Sequence, residues 1–132
     1  RFHGEVGMQF RSPLGKARGL GSAKDGTHHW WMQRLTALAL IPLAIWFVAN
    51  VVSLSGQDHA AFAAWVKNPV SATLLVVLVA ATFHHAQLGL QVVIEDYVHH
   101  EGLKLGAIVA VKFAAVVLAG IGIVSVLRIA LA

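Results

Sequence analysis

Two adjacent histidines inside an apolar segment are the residues of this chain best suited to chemistry. His84 and His85 follow a long apolar run, and the pair Asp96-Tyr97 comes at the far end of the same segment. Ionisable side chains are costly in hydrocarbon, so one found there indicates a functional site. Imidazole is also a common ligand of metals, including haem iron. We interpret a histidine at depth and a tyrosine near the rim as parts of a buried redox centre close to a membrane surface.

The choice between the two histidines follows from helix geometry. They point about 100° apart, so one helix face cannot present both equally. Gly89 lies one turn beyond His85, where a small residue would let a flat macrocycle lie against the helix. This spacing favours His85 as an iron ligand, with His84 as the alternative. The alternative to an iron ligand is a buried histidine that only hydrogen-bonds a neighbouring helix. Because the other predicted spans contain no histidine, the second axial ligand of a haem would come from a partner subunit.

Three further residues have the chemistry of a quinone site. Twelve residues separate His85 from Tyr97, which is about 18 Å along a helix. The Tyr97 phenol can donate a hydrogen bond, and Asp96 can orient a polar group or relay a proton. Together they suit a carbonyl ligand that takes up protons, such as a quinone; otherwise they are an interfacial tyrosine and a helix-terminal acid. Arg34 could pair with a propionate, a quinone or Asp96, or reach lipid phosphate by snorkelling.

The composition is that of a membrane protein. Of 132 residues, 58% are hydrophobic and only 12% are charged, whereas soluble domains carry about 25% charged residues. Cysteine is absent, which excludes an iron–sulfur cluster, a disulfide framework or a cysteine nucleophile of the chain's own. Much of the positive charge lies in the first 34 residues. Beside membrane helices, this basic segment indicates a topological or docking role rather than nucleic-acid binding.

We predict an all-α membrane protein with a basic, mostly irregular tail (residues 1–30) and a three-helix anchor domain (residues 31–132). The predicted spans are residues 31–54, 70–94 and 105–131, each long enough for the roughly 20 residues that cross a bilayer. Asn68-Pro69 suits the start of the second helix. Small residues at Gly120 and Gly122 are typical of close helix packing.

The distribution of lysine and arginine predicts the orientation. The tail is rich in them, whereas the first loop (residues 55–68) holds only Lys67. The positive-inside rule then puts the amino terminus and the second loop in the cytoplasm and the carboxyl terminus on the other side. Tyr97 and the basic tail would therefore share the cytoplasmic surface.

Several of these residues together resemble a known family, the small hydrophobic membrane-anchor subunit of succinate dehydrogenase (respiratory complex II), in its bacterial cytochrome b form. The resemblance extends over nearly the whole chain in size and three-helix layout. The residues that carry it are His85-Ala86-x-x-Gly89, Val92-Val93-x-x-Asp96-Tyr97-Val98, His28, Arg34-x-Thr36-Ala37 and Arg11-Ser12-Pro13-Leu14-Gly15.

The resemblance implies a set of roles. His85 would be an axial ligand of haem b, shared with a histidine of the larger cytochrome b anchor subunit. Tyr97 would hydrogen-bond ubiquinone with support from Asp96, while Arg34 and His28 would lie near the haem propionates and the quinone pocket. FAD and the iron–sulfur clusters would belong to two partners, a flavoprotein subunit and an iron–sulfur subunit. The complex would lie in the bacterial inner membrane, and this chain would not be an enzyme alone.

Two alternative functions stay open at this point. One is the anchor of a fumarate reductase, which runs the reverse reaction. The other is a non-redox, three-helix structural or transport-associated protein, in which the membrane histidine serves packing or proton handling.

Overall fold

The described part of the chain is mostly helical. The computed structural model describes the backbone from residue 20 and the side chains from residue 26, both to residue 132. This part contains four helices and no strand: α1 (Leu20–Leu54), α2 (His59–Lys67), α3 (Pro69–Tyr97) and α4 (Glu101–Ala130). Three segments are long and apolar enough to cross a membrane: Gly26–Leu54, Pro69–Tyr97 and Glu101–Ala130. The all-α, three-span prediction is confirmed.

The first helix begins earlier than the apolar pattern indicates. The predicted span starts at Trp31, but α1 already begins at Leu20, so the last part of the predicted tail is helical. Residues 20–29 are mostly small or polar, and such a segment gives no apolar periodicity from which a helix could be predicted. The prediction of an irregular tail for residues 1–19 lies outside the described residues.

The chain divides into two compact units, Arg1–Met32 and Gln33–Ala132. In the first unit, the rings of Trp30 and Trp31 pack edge to face with their centroids 5.1 Å apart. The helix packing that positions the candidate site lies within the second unit.

A short helix that the sequence did not predict occupies much of the first loop. Gly56 has a φ of 84° in the turn that follows α1, a backbone conformation that glycine adopts without steric cost. The Asp58 carboxylate then accepts a hydrogen bond from Ala61 N at 3.0 Å, which caps the first turn of α2. The segment expected to be a loop is therefore a capped, nine-residue helix.

The predicted start of the second span is confirmed. Asn68 Oδ1 accepts hydrogen bonds from Val70 N (2.9 Å) and Ser71 N (3.4 Å), and Pro69 occupies the first turn of α3. Proline suits this position because its missing N–H would have no partner within the helix. The Asn68-Pro69 pair thus fixes where α3 begins.

The last two helices approach closely at one glycine. A Cβ atom on Gly122 of α4 would lie 2.9 Å from Val79 Cγ1 of α3, whereas one on Gly120 would meet nothing within 4 Å. The packing role predicted for the small residues of α4 therefore holds for Gly122. At the turn between these helices, His100 Nδ1 accepts a hydrogen bond from Leu103 N at 3.1 Å, so this loop histidine caps α4.

Helices α1 and α3 run antiparallel. Thr36, early in α1, contacts His85, late in α3. Ten residues further along α1, Trp46 packs on Trp65 with ring centroids 5.6 Å apart, and Trp65 precedes the start of α3. The amino-terminal part of α1 and the carboxyl-terminal part of α3 therefore lie at the same end of the bundle.

Most apolar side chains remain exposed in the isolated chain. The buried apolar residues among those described are few (Leu43, Val66, Leu75 and Leu88), and α4 has no buried residue. Exposed apolar surface on this scale marks contact with lipid or with other subunits. Lipid can cover this surface, because the internal backbone groups of a helix already hydrogen-bond one another.

Candidate functional site

His85 lies on α3 and points one edge of its ring toward α1. Its Nδ1 atom is 3.1 Å from Thr36 Oγ1, a contact between residues 49 positions apart. Thr36 is buried and His85 is half-buried. No further hydrogen bond to this ring comes from the residues that the structure describes, so Nε2 keeps its coordination capacity. A half-buried imidazole with one nitrogen held and the other open fits the chemistry of an iron ligand.

His84 points into a different environment. It lines a cleft of about 290 Å³ between α3 and α4 together with Phe83, Gln87 and Lys112. The His84 side chain is exposed, and no hydrogen bond holds its ring among residues 26–132. The two histidines therefore serve different helix faces, as their 100° separation predicts, and only His85 is held by a neighbouring helix.

Gly89 leaves open space on the same helix face as His85. One helical turn separates the two residues, and a Cβ atom added to Gly89 would meet nothing within 4 Å. Glycine here is consequently not required for packing within this chain. The open position is compatible with the predicted approach of a flat group or of another subunit.

Measured along the helix axis, Arg34 is closer to His85 than to Tyr97. It precedes Thr36 by two residues, which is about 3 Å of helix rise, and Thr36 contacts His85. Tyr97 is twelve residues beyond His85 on the unbroken helix α3, about 18 Å further along its axis. Because α1 and α3 are antiparallel, Arg34 is displaced from the level of His85 in the direction of Tyr97. Along the axis, the Cα atom of Arg34 therefore lies between His85 and Tyr97, and its side chain is exposed.

Asp96 and Tyr97 close the last turn of α3. The helix ends at Tyr97, and Val98 donates its backbone N–H to Ile94 O as the helix cap. Both side chains are exposed, Tyr97 by 75%. Their polar groups are therefore free to meet a ligand or a partner at this end of the bundle. His28, the remaining predicted residue, is exposed and belongs to the amino-terminal unit.

Sequence reasoning missed a ladder of polar side chains along α3. Gln87 Nε2 donates to Gln91 Oε1 at 2.9 Å, and Gln91 Nε2 donates to Glu95 Oε2 at 3.3 Å. Gln87 is buried, so the ladder extends from the helix end into the apolar interior. The four-residue spacing of these polar residues within an apolar span was the signal that could have revealed it. No comparable sequence pattern predicts the contact of Thr36 with His85.

The fold and the site define a class of protein: a multi-pass helical membrane protein with an imidazole held inside the bundle. The profile of the family described as succinate dehydrogenase/fumarate reductase transmembrane subunit matches residues 8–119. The chain therefore belongs to this family, and the resemblance seen in its motifs is confirmed.

Individual relatives agree with the family match. The succinate dehydrogenase hydrophobic membrane anchor subunit of Rickettsia bellii (strain RML369-C) is 38% identical over 103 residues, which cover 78% of this chain and 82% of the relative. The subunit of the same name from Rickettsia conorii (strain ATCC VR-613 / Malish 7) is 33% identical, with 82% and 86% covered. That of Paracoccus denitrificans is 30% identical over 112 residues, with 85% and 87% covered.

Proposed function

We propose that this chain is the membrane anchor of a succinate:ubiquinone oxidoreductase and contributes residues to its haem and quinone sites. The three spans and the family support the anchor role. Its partners are a larger cytochrome b anchor subunit, an iron–sulfur subunit and a flavoprotein subunit. FAD and the iron–sulfur clusters reside in the last two, and catalysis is a property of the assembly.

The Thr36–His85 contact is the observation that carries the haem part of the proposal. It engages Nδ1 of His85 and leaves Nε2 as the ligand atom for haem b. A histidine of the larger anchor subunit would hold the iron together with His85. When bound, haem b would supply one-electron redox chemistry. Gly89 leaves an open surface on the helix face of His85, and the positive charges of Arg34 and, when protonated, His28 would counter the propionates.

The quinone part of the proposal rests on Asp96 and Tyr97. Reduction of ubiquinone to the quinol consumes two electrons and two protons, and the electrons come from the iron–sulfur subunit. The Tyr97 hydroxyl donates a hydrogen bond to a quinone carbonyl oxygen, which stabilises the negative charge that develops there. Asp96 orients this pair and passes one proton from water toward the same oxygen, while the second proton goes from water to the other carbonyl oxygen. Arg34, which lies between His85 and Tyr97 along the helix axis, adds a positive charge to the pocket.

The orientation places this chemistry at the inner face of the bacterial cytoplasmic membrane. The basic amino-terminal segment and the α3–α4 turn face the cytoplasm, and the carboxyl terminus faces the periplasm. Tyr97 lies directly before that turn. A peripheral iron–sulfur subunit docked on the cytoplasmic face would therefore meet the quinone site at its entrance.

The second candidate function is the anchor of a fumarate reductase. The family description includes both enzymes, and the same surfaces of this chain would serve either one. The direction of electron flow depends on the potentials of the redox centres in the partner subunits and of the quinone. The ratio of succinate-dependent quinone reduction to quinol-dependent fumarate reduction distinguishes the two enzymes.

The test is to purify the chain from membranes of the native cell in mild detergent, with an affinity tag at its amino terminus. We expect flavin, a b-type difference spectrum between the dithionite-reduced and oxidised forms, and succinate-to-ubiquinone activity in the same peak. A monodisperse, folded sample that contains neither haem nor flavin would contradict the proposal. That result would favour a non-redox structural or transport-associated protein.

A further inference from the structure

Thr36 is an unusual side chain for its surroundings. It is one of three buried polar residues among those described, with Ser71 and Gln87. A buried hydroxyl needs hydrogen-bond partners, because an unpaired polar group costs free energy in an apolar environment. Thr36 lies in a segment of membrane-spanning character, where no bulk water can serve as that partner.

The hydrogen bonds of Thr36 determine where its single hydroxyl proton goes. Thr36 Oγ1 lies 3.1 Å from Gln33 O, in the same helix, and 3.1 Å from His85 Nδ1. A carbonyl oxygen only accepts, so the hydroxyl proton is donated to Gln33 O. The contact with His85 then requires the ring to be the donor, through an Nδ1–H. Threonine in a helix commonly bonds a carbonyl one turn earlier, which also fixes the direction of Oγ1.

We propose that Thr36 is a positioning residue that holds His85 as the Nδ1–H tautomer and aims its Nε2 lone pair at the haem iron. The inference rests on the proposed role of His85 as a haem ligand and adds the residue that prepares it for that role. A neutral imidazole carries a proton on one nitrogen only, so in that form an Nδ1–H bonded to Thr36 leaves Nε2 unprotonated. Thr36 on α1 thus holds His85 on α3.

The same contact explains why His85 rather than its neighbour would serve as ligand. Nothing described holds the ring of His84, which lines the cleft near Lys112. A ligand whose ring plane is fixed in advance loses less freedom when it binds a metal. Donation from Nδ1 also makes Nε2 more electron-rich, which stabilises the ferric state of iron and lowers the reduction potential.

The test uses the intact complex with substitutions at two threonines. Thr36→Val removes the acceptor at nearly constant shape, and Thr36→Ser keeps a hydroxyl. Thr73→Val is the control for losing the bond within the helix, because the exposed Thr73 Oγ1 also bonds a carbonyl one turn earlier, that of Pro69, and has no hydrogen bond to a histidine among the described residues. Two properties are measured: the midpoint potential of haem b in a redox titration, and the rate at which excess apomyoglobin captures haem from the complex.

We expect Thr36→Val to raise the midpoint potential and to speed haem loss about 10- to 100-fold, the usual effect of removing a hydrogen bond to a metal ligand. Thr36→Ser and Thr73→Val should match the unaltered complex. If Thr36→Val prevents assembly of the complex, Thr36→Ala is measured in its place. Equal values in Thr36→Val and the unaltered complex, or equal changes in Thr36→Val and Thr73→Val, would overturn the positioning role. A complex that lacks haem b without any substitution would instead overturn the proposed function.

Discussion

At the scale of single residues, Tyr97 offers the clearest test of the quinone site. Tyr97→Phe removes one hydroxyl and keeps the ring, so it deletes the proposed hydrogen bond to the quinone and little else. One uncharged hydrogen bond contributes about 1 kcal/mol, so kcat/KM for ubiquinone should fall about fivefold or more. Steady-state assays with ubiquinone and with a soluble artificial acceptor measure the two halves of the reaction separately.

The soluble acceptor provides the internal control for this variant. It takes electrons before the quinone site, so succinate oxidation with it should be unchanged in Tyr97→Phe. Normal ubiquinone reduction by the variant would show that the Tyr97 hydroxyl has no role there. An equal loss with both acceptors would point to faulty assembly and would also remove the support for that role.

The residue types were readable from the sequence, but their partnerships were not. An imidazole in an apolar segment and a tyrosine twelve residues later follow from residue identity and helix rise alone. The contact of His85 with Thr36 depends on how α1 and α3 pack, and no periodicity within either helix predicts it. The same holds for the separate cleft that receives His84. Tertiary packing decides which of two adjacent histidines gains a partner.

At the scale of elements, Gly122 is a point of close approach between α4 and α3. Gly122→Ala would place a Cβ atom 2.9 Å from Val79 Cγ1, while Gly120→Ala would place one in open space. Both substitutions bring the same gain in helix propensity, so their difference isolates the contact. We expect Gly122→Ala to be less stable than Gly120→Ala by about 1–3 kcal/mol, the usual cost of overpacking.

Thermal unfolding of the purified complex in detergent compares the two variants. Adding Val79→Ala to Gly122→Ala removes the atom that clashes, so the double substitution should recover part of the loss. This coupling is measured by the corresponding double-mutant cycle. Equal midpoints for Gly122→Ala and Gly120→Ala would contradict the assigned packing.

The elements were predictable where the bilayer dictates them. Length and hydropathy suffice for three spans, because a helix must satisfy its own backbone groups across the hydrocarbon. The Asn68-Pro69 start was also readable, since it depends on local capping chemistry. Helix α2 was missed because nine residues between spans show too little periodicity, although Asp58 before an alanine-rich run was a usable cap signal. The early part of α1 is polar and gave no signal of its own.

At the scale of the whole molecule, the distribution of charge predicts the topology. A phosphatase reporter that is active only outside the cytoplasm should be active after Ala132 and inactive when inserted between His99 and His100. A fusion after Gln57, in the first loop, is the matched control and should be active. Positive residues near cytoplasmic ends control this orientation; Arg128 opposes it weakly because it can snorkel to the far interface.

A fluorescent reporter that folds only in the cytoplasm checks the same sites independently and should give the reciprocal pattern. Activity of the phosphatase at His99 together with inactivity after Ala132 would reverse the topology. Tyr97 would then face the periplasm, away from a cytoplasmic iron–sulfur partner. The location proposed for the quinone site would be wrong in that case.

Membership of a family of transmembrane subunits indicates that the chain acts as part of a larger assembly. Large apolar side chains remain exposed along α1, α3 and α4, and lipid or neighbouring subunits must cover them. His85, with one nitrogen held by Thr36, offers only one axial ligand. A haem at this site would therefore lie at a boundary between subunits, as the proposal requires.

The most direct test of the central claim compares His85→Ala with His84→Ala in the purified complex. The measurement is the dithionite-reduced minus oxidised absorbance spectrum, normalised to the flavin content. We predict that His85→Ala loses or alters the b-type signal, because the ring held by Thr36 is the proposed iron ligand. His84→Ala should keep the spectrum of the unaltered complex, since its ring faces the α3–α4 cleft. A normal spectrum in His85→Ala, with the signal lost in His84→Ala, would contradict the account.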